Sequence, residues 1–203
     1  MTDAPTRITL TMAVDRLGEF FSLLQQGFLV PARVGYPLEE LLDREWGVSP
    51  AYAAERITTV FLNARAIDDL KGTVVRDGDR LALSGAMPGL VGATMRRGGY
   101  YAAMRGAMTH REGEYNGTEG VGTIRVKLFN LLLTELGPEF LRRGIGLSAA
   151  EAAVFFGERG EWFWEGCAGI SLDGESVPLD APPGGFLPEN KDVRLIVEFR
   201  GER

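Results

Sequence analysis

The residues best suited to binding chemistry lie in the middle of the 203-residue chain, in the segment 87–122. Residues 81–110 contain no acidic residue, and four of the six methionines fall within 87–108. Arginine forms strong hydrogen bonds with carboxylates and phosphates, and methionine adapts to irregular apolar surfaces. The combination predicts a segment that binds a protein partner or a small anion. The candidate binding residues are Arg96, Arg97, Gly98, Gly99, Tyr100, Tyr101, Arg105, Met95 and Met104.

The same segment has a second interpretation, in which it is a connector that folds back and packs between two domains. Methionine and tyrosine would then fill space, and Gly98-Gly99 would form a turn between two short helices. An exposed linker gains nothing from methionine, so these side chains should be covered by the protein itself or by a partner. Gly89-Leu90-Val91-Gly92 lacks the Gly-Lys-Ser/Thr ending of a phosphate-binding loop, so nucleotide binding is only weakly indicated.

No residue set in the sequence amounts to a catalytic or metal site. His110 is the only histidine and Cys167 the only cysteine, so no metal-ligand cluster is expected, and Cys167 is interpreted as a buried, inert thiol. Trp162-Phe163-Trp164 suits either a docking platform or packing between domains. We therefore expect a protein that is not an enzyme and needs no cofactor.

Composition narrows the class further. The net charge of −6 argues against a dedicated nucleic-acid binder, which normally carries a basic excess. Residues 1–86, 87–122 and 123–203 carry −3, +1 and −4, so any affinity for anions is expected in the middle segment. The apolar runs are too short to span a bilayer, and a lone cysteine fits a reducing compartment, which predicts a cytoplasmic protein with no membrane partner.

The elements that would position these residues occur twice along the chain. Alternating strands are predicted at 7–12 and 123–128, and each is followed by helical segments, a strand–turn–strand and a closing strand. The spacings agree, because Leu62 lies 27 residues after Gly35 and Leu172 lies 26 after Gly146. The pattern predicts an internal duplication of the α+β class. The predicted domains are 1–86 and 123–203, each a mixed sheet crossed by one main helix, with 87–122 as the connector.

Two stretches resemble the small sulfur-carrier proteins of molybdopterin and thiamine biosynthesis. Thr123-Ile124-Arg125-Val126-Lys127-Leu128-Phe129 is similar to their opening strand, and Leu62-Asn63-Ala64-Arg65 followed by Asp77-Gly78-Asp79 is similar to their closing half. The resemblance implies two tandem β-grasp (ubiquitin-like) domains. It also implies a terminal diglycine that is adenylated and converted to a thiocarboxylate. Here 104 residues follow Gly99, so carrier activity would require processing after Gly99.

Two functions follow as expectations. The first is a non-catalytic binding or assembly protein that uses the basic, methionine-rich connector as its interaction surface. The alternative is a sulfur carrier of molybdopterin/thiamine-type cofactor biosynthesis. The expected partner is a protein, such as an adenylating enzyme or a pterin-dependent oxidoreductase, and a small anion is a further candidate.

Overall fold

The structure is a computed structural model and describes residues 4–108, 119–179, 187 and 191–201. The strands are β1 Thr6–Ala13, β2 Phe28–Val34, β3 Thr59–Leu62, β4 Arg65–Ala66, β5 Arg80–Ser84, β6 Gly120–Phe129, β7 Ile145–Leu147, β8 Cys167–Leu172, β9 Glu175–Val177 and β10 Val193–Arg200. The α-helices are α1 Phe21–Gln26, α2 Leu38–Glu40, α3 Pro50–Arg56, α4 Gly89–Met95, α5 Leu132–Glu135, α6 Gly137–Arg143, α7 Ala149–Gly157 and α8 Glu161–Glu165. Val14–Phe20 and Tyr100–Met108 are 3-10 helices, and Leu41–Glu45 is a π-helical turn.

The chain is therefore a mixed α/β protein with parallel and antiparallel strands, and it divides into two compact units. Unit 1 combines residues 1–28 with 134–203, and unit 2 is the continuous stretch 29–133. By sequence, unit 1 carries 9 basic and 16 acidic residues and unit 2 carries 13 and 12. The acidic excess of the chain thus belongs to unit 1, and unit 2 has a net charge of +1.

Unit 2 contains five described strands in the order β4-β3-β5-β6-β2. Strands β5 and β6 are parallel, with Arg80–Ser84 beside Arg125–Phe129, and β3 is antiparallel to β5. Side chains alternate between the two faces of a strand. One face and the nearby helical segments supply the buried core, which includes Val60, Leu62, Leu81, Leu83, Val126, Leu128, Leu38, Leu41 and Leu42.

Unit 1 also contains five described strands, in the order β7-β10-β1-β8-β9. Strand β1 runs parallel to β10 over eight residue pairs and antiparallel to β8. The core includes an aromatic cluster in which the rings of Phe155 and Phe163 both lie 5.6 Å from that of Phe20. The capping box predicted at Ser148 and Glu151 begins α7, and the predicted Asp173-Gly174 turn joins β8 to β9.

These units differ from the predicted domains 1–86 and 123–203. Strand β1 completes the sheet of unit 1, and β6 completes the sheet of unit 2, so the opening strands of the two sequence halves are exchanged. Both strands have the same alternating apolar pattern, and each can therefore bury one face in either sheet. The periodicity of the sequence does not show which neighbouring strands each one pairs with. The order of the two central strands also differs between the units. In unit 2 the opening strand β6 lies beside β2, whereas in unit 1 the closing strand β10 lies beside β7. Identical strand orders, which a simple duplication predicts, are not observed.

The predicted connector 87–122 does not link the two units, because all of it falls within unit 2. Its described part, residues 87–108, is called the connector segment below. It leaves β5, forms α4 and the 3-10 helix Tyr100–Met108, and precedes β6 in the chain. Within the described residues, no helix is long and apolar enough to cross a membrane.

Candidate interaction surface

The connector segment consists of two short helices joined by a turn. Helix α4 begins after Pro88 at Gly89, and a turn at Gly98 (φ +61°) separates it from the 3-10 helix. A Cβ atom on Gly92 would lie 2.0 Å from the backbone oxygen of Met87. Glycine at this position therefore allows α4 to pack directly on the chain that enters it.

One carboxylate holds the turn in place. The Oδ1 atom of Asp68 accepts a hydrogen bond from the backbone N–H of Gly98 and another from Nη2 of Arg105, each at 2.8 Å. Partial burial raises the pKa of the Asp68 carboxyl, but the hydrogen bonds from Arg105 and Gly98 outweigh it and leave that pKa below its usual value. We call these three residues the Asp68 latch.

The Arg105 side chain is fully buried, and its Nη2 also donates to the backbone oxygen of Arg96 at 3.2 Å. Its Nε and Nη1 atoms have no hydrogen-bond partner within the described part of the chain. Removal of the only carboxylate partner of a buried guanidinium destabilises the folded state strongly, because it leaves a buried charge uncompensated. The position of the connector segment therefore depends strongly on Asp68.

Arg97 adds a second attachment. Its backbone N–H donates to the Thr58 oxygen at 2.7 Å, and its Nη2 donates to the Ala53 oxygen at 2.8 Å. Burial lowers the pKa of the Arg97 guanidinium, and the negative charge of Asp68 is the largest opposing effect. A cleft of about 220 Å³ borders Arg97 and Asp68, which is smaller than usual for a ligand site. We therefore assign Arg97 to attachment of the segment.

The attached segment presents apolar side chains to solvent. Tyr100 is 92% exposed, Leu90 and Met104 are each 66% exposed, and Val91 is 64% exposed. Tyr101 is 43% exposed and packs edge-on against Tyr100, with 5.1 Å between ring centroids. We call these five residues the connector surface. Exposed Arg96 lies on the same segment, between α4 and Tyr100, and its side chain makes no hydrogen bond or ion pair with any described residue.

The structure divides eight of the nine sequence-predicted site residues into an attaching group and an exposed group, and Met95 belongs to neither. Arg97, Gly98 and Arg105 attach the segment through hydrogen bonds. Gly98 is exposed, whereas the Arg105 side chain is fully buried and is not part of the surface. Gly99 continues the turn by donating its N–H to the Arg96 oxygen at 3.1 Å. Arg96, Tyr100, Tyr101 and Met104 are exposed, whereas Met95 is half-buried. Of the other positions in the predicted segment, His110 and Arg111 lie outside the described residues.

Sequence reasoning missed two parts of this arrangement. Leu90 and Val91 are exposed on α4. In the sequence they form an apolar pair between two glycines, and that pattern indicates at most a phosphate-binding loop. Asp68 lies 30 residues before Gly98 and is one of two adjacent aspartates in the sequence. No local pattern connects Asp68 to Arg105, because their proximity arises only from the tertiary fold.

Cys167 and the Trp162-Phe163-Trp164 stretch lie outside the connector segment. The predicted burial of Cys167 is confirmed, and burial raises the pKa of its thiol. Trp162 is exposed but carries the Arg16 guanidinium over its ring at 3.3 Å from the centroid, and Phe163 is buried. Among the described residues, no group of three His, Cys, Asp or Glu side chains could hold a metal ion.

No protein-family model matches this chain, and neither does any curated protein or solved structure. The resemblance to sulfur carriers therefore stays a prediction based on its sequence motifs.

Proposed function

We propose that this protein is a non-catalytic binding or assembly protein and that it contacts a protein partner through the connector surface. One observation carries the proposal. Of the nine large hydrophobic side chains that are exposed in the described chain, five lie on the connector surface. Exposed apolar side chains that cluster on one segment are typical of interaction sites, whereas scattered ones need no explanation.

The attachment of the segment supports this proposal. A flexible linker must lose conformational freedom when it binds, which weakens the complex. Here the Asp68 latch and the Arg97 hydrogen bonds fix the backbone beneath the exposed side chains. The connector surface is thus pre-organised for binding.

The charge of the segment indicates the character of the partner. Arg96 adds a cation beside the apolar side chains, and residues 81–110 contain no acidic residue. Acidic groups on the partner would face no repulsion from this segment and would be attracted to Arg96. The proposed partner therefore presents an apolar patch bordered by carboxylates.

For the architecture, we propose that both units are variants of the β-grasp fold with exchanged opening strands. The support comes from unit 2, where a parallel pair, β5 and β6, is flanked by antiparallel β3 and by β2. The sulfur-carrier alternative requires Gly99 at a free chain end. Because the N–H groups of Gly98 and Gly99 are both hydrogen-bonded in a turn, we favour the binding function over that alternative.

Replacement of surface residues tests the proposal. The triple variant Leu90→Ser, Tyr100→Ser and Met104→Ser should keep its fold, since all three side chains are exposed, but should recover at least about tenfold less partner from lysate of the native cells. The matched control is Val154→Ser with Leu179→Ser, which removes two exposed apolar side chains from unit 1. Equal recovery by the two variants would contradict the proposal.

A further inference from the structure

A groove crosses the outer face of the unit 2 sheet, opposite the buried core. Its floor is formed by the small residues of the central strand β5, and larger residues stand on the neighbouring strands. Phe61 of β3 lies in register with Ala82, and Phe129 of β6 lies in register with Ser84. Small side chains between large ones leave a trench of about 400 Å³, within the size range of small-molecule sites. The sheet groove is lined by Phe61, Ala82, Ser84, Met87, Phe129 and Asn130.

The end of the groove near Asn130 is rigid. Asn130 adopts a positive φ of 57°, and its Nδ2 donates to the Ser84 Oγ at 2.9 Å. The Ser84 hydroxyl in turn donates to the Gly85 oxygen at 3.2 Å. These bonds fix two polar groups at one end of an otherwise apolar trench, so the groove is formed before any ligand arrives.

The border of the groove along the strands is basic. Lys127 lies in register beside Ala82 and therefore projects from the same face of the sheet. It makes no hydrogen bond or ion pair with any described residue. Arg80 and Arg125 form the next in-register pair on this face, and none of the described carboxylates lines the groove.

We propose that the sheet groove binds a small amphipathic carboxylate, with its apolar part between Phe61 and Phe129 and its carboxylate on Lys127. The apolar lining accepts a hydrocarbon or aromatic group. The Lys127 ammonium, which pairs with no described residue, selects an anion over a neutral or cationic analogue. Met87 of the connector segment lines the groove, but none of the five residues of the connector surface does. The proposal therefore does not depend on the proposed protein partner.

Titration of the isotopically labelled full-length chain with octanoate and with octanamide, followed by amide NMR, tests this site. Octanoate should bind at least about fivefold more tightly than octanamide and should shift the amides of Ala82, Ser84 and Phe129. Lys127→Gln should remove the preference for octanoate, whereas Lys71→Gln, which changes an exposed lysine outside the groove, should retain it. Ala82→Leu should fill the trench and weaken both ligands at least about tenfold.

Several results would overturn the proposal. Equal binding of octanoate by wild type and Lys127→Gln would show that the ammonium does not select the ligand. Shifts confined to residues 89–105 would place the ligand on the connector surface instead. If octanoate fails to bind while an acidic peptide with a central tryptophan shifts the groove amides, the groove is a protein-docking site. If Ala82→Leu does not fold, the comparison of octanoate and octanamide binding between wild type and Lys127→Gln still tests the proposal.

Discussion

Removal of the Asp68 carboxylate should release the connector segment while the sheet of unit 2 stays folded. Asp68→Ala deletes the hydrogen bonds from Gly98 and Arg105, both 2.8 Å long, and leaves the buried Arg105 guanidinium without its carboxylate. A hydrogen bond to a charged group contributes about 1.5–3 kcal/mol. Because the Asp68 side chain is 36% exposed, water recovers part of this loss, and we expect about 2–3 kcal/mol for the pair of bonds.

Hydrogen exchange resolved by residue measures this local loss directly. A loss of about 2–3 kcal/mol corresponds to roughly 30- to 150-fold faster exchange if opening of the segment limits it. The effect should appear at amides in residues 89–105 and be absent from Leu81 and Val126 in the sheet core.

Glu40→Ala is the matched control. The Glu40 side chain is also 36% exposed and also pairs with an arginine, but its partner Arg44 is 67% exposed. Such a surface pair contributes about 0.3–0.5 kcal/mol, so exchange in the connector segment should hardly change. If Asp68→Ala and Glu40→Ala alter exchange in residues 89–105 to the same extent, the reasoning about the Asp68 latch is wrong.

Three further predictions concern the same segment. Arg97→Ala should lower the thermal midpoint by about 2–6 °C, because it deletes the hydrogen bond to the Ala53 oxygen. Arg96→Ala should leave the midpoint unchanged. Equal shifts in the two variants would refute the assignment of Arg97 to attachment. Gly92→Ala should displace α4 and lower the thermal midpoint, because its Cβ would lie 2.0 Å from the Met87 oxygen. Gly18→Ala, whose Cβ would meet no described atom within 4 Å, is the control and should lower the midpoint less. The folded pKa of Asp68 is depressed, so its stabilising contribution is present above its unfolded pKa of about 3.8 and is lost as pH falls through the folded value. Hydrogen exchange of residues 89–105, corrected for the intrinsic pH effect, should therefore accelerate below about pH 4 in wild type, and an identical profile in Asp68→Ala would contradict this cause.

The local elements of this fold were readable from sequence because they depend on short patterns. The alternation in 123–128 lies within β6, Ser148 and Glu151 begin α7, and Asp173-Gly174 forms the turn between β8 and β9. Each of these signals involves residues a few positions apart, so local geometry is enough to recognise it.

The division into units was not readable in the same way. Strands β1 and β6 have similar alternating patterns, and sequence alone does not say which strands each one pairs with. The partner of β1 in β10 lies 187 residues away in the chain, and the partner of β6 in β5 lies 45 residues away. The candidate site shows the same limit. The compositional signal located the segment around Arg96 and Tyr100, but it could not separate exposed Arg96 from buried Arg105, because Asp68 lies far outside the segment.

Site-specific photo-cross-linking in the native cells tests the central claim most directly. A photoreactive phenylalanine analogue replaces Tyr100, which is 92% exposed on the connector surface, and in a second strain replaces Val154, which is 57% exposed on unit 1. We expect the Tyr100 position to yield a discrete cross-linked protein that the Val154 position does not, and Asp68→Ala in the same chain should reduce that product severalfold. Identical products from the two positions, or no product from Tyr100 under conditions in which Val154 cross-links, would contradict the claim that the connector surface binds the partner.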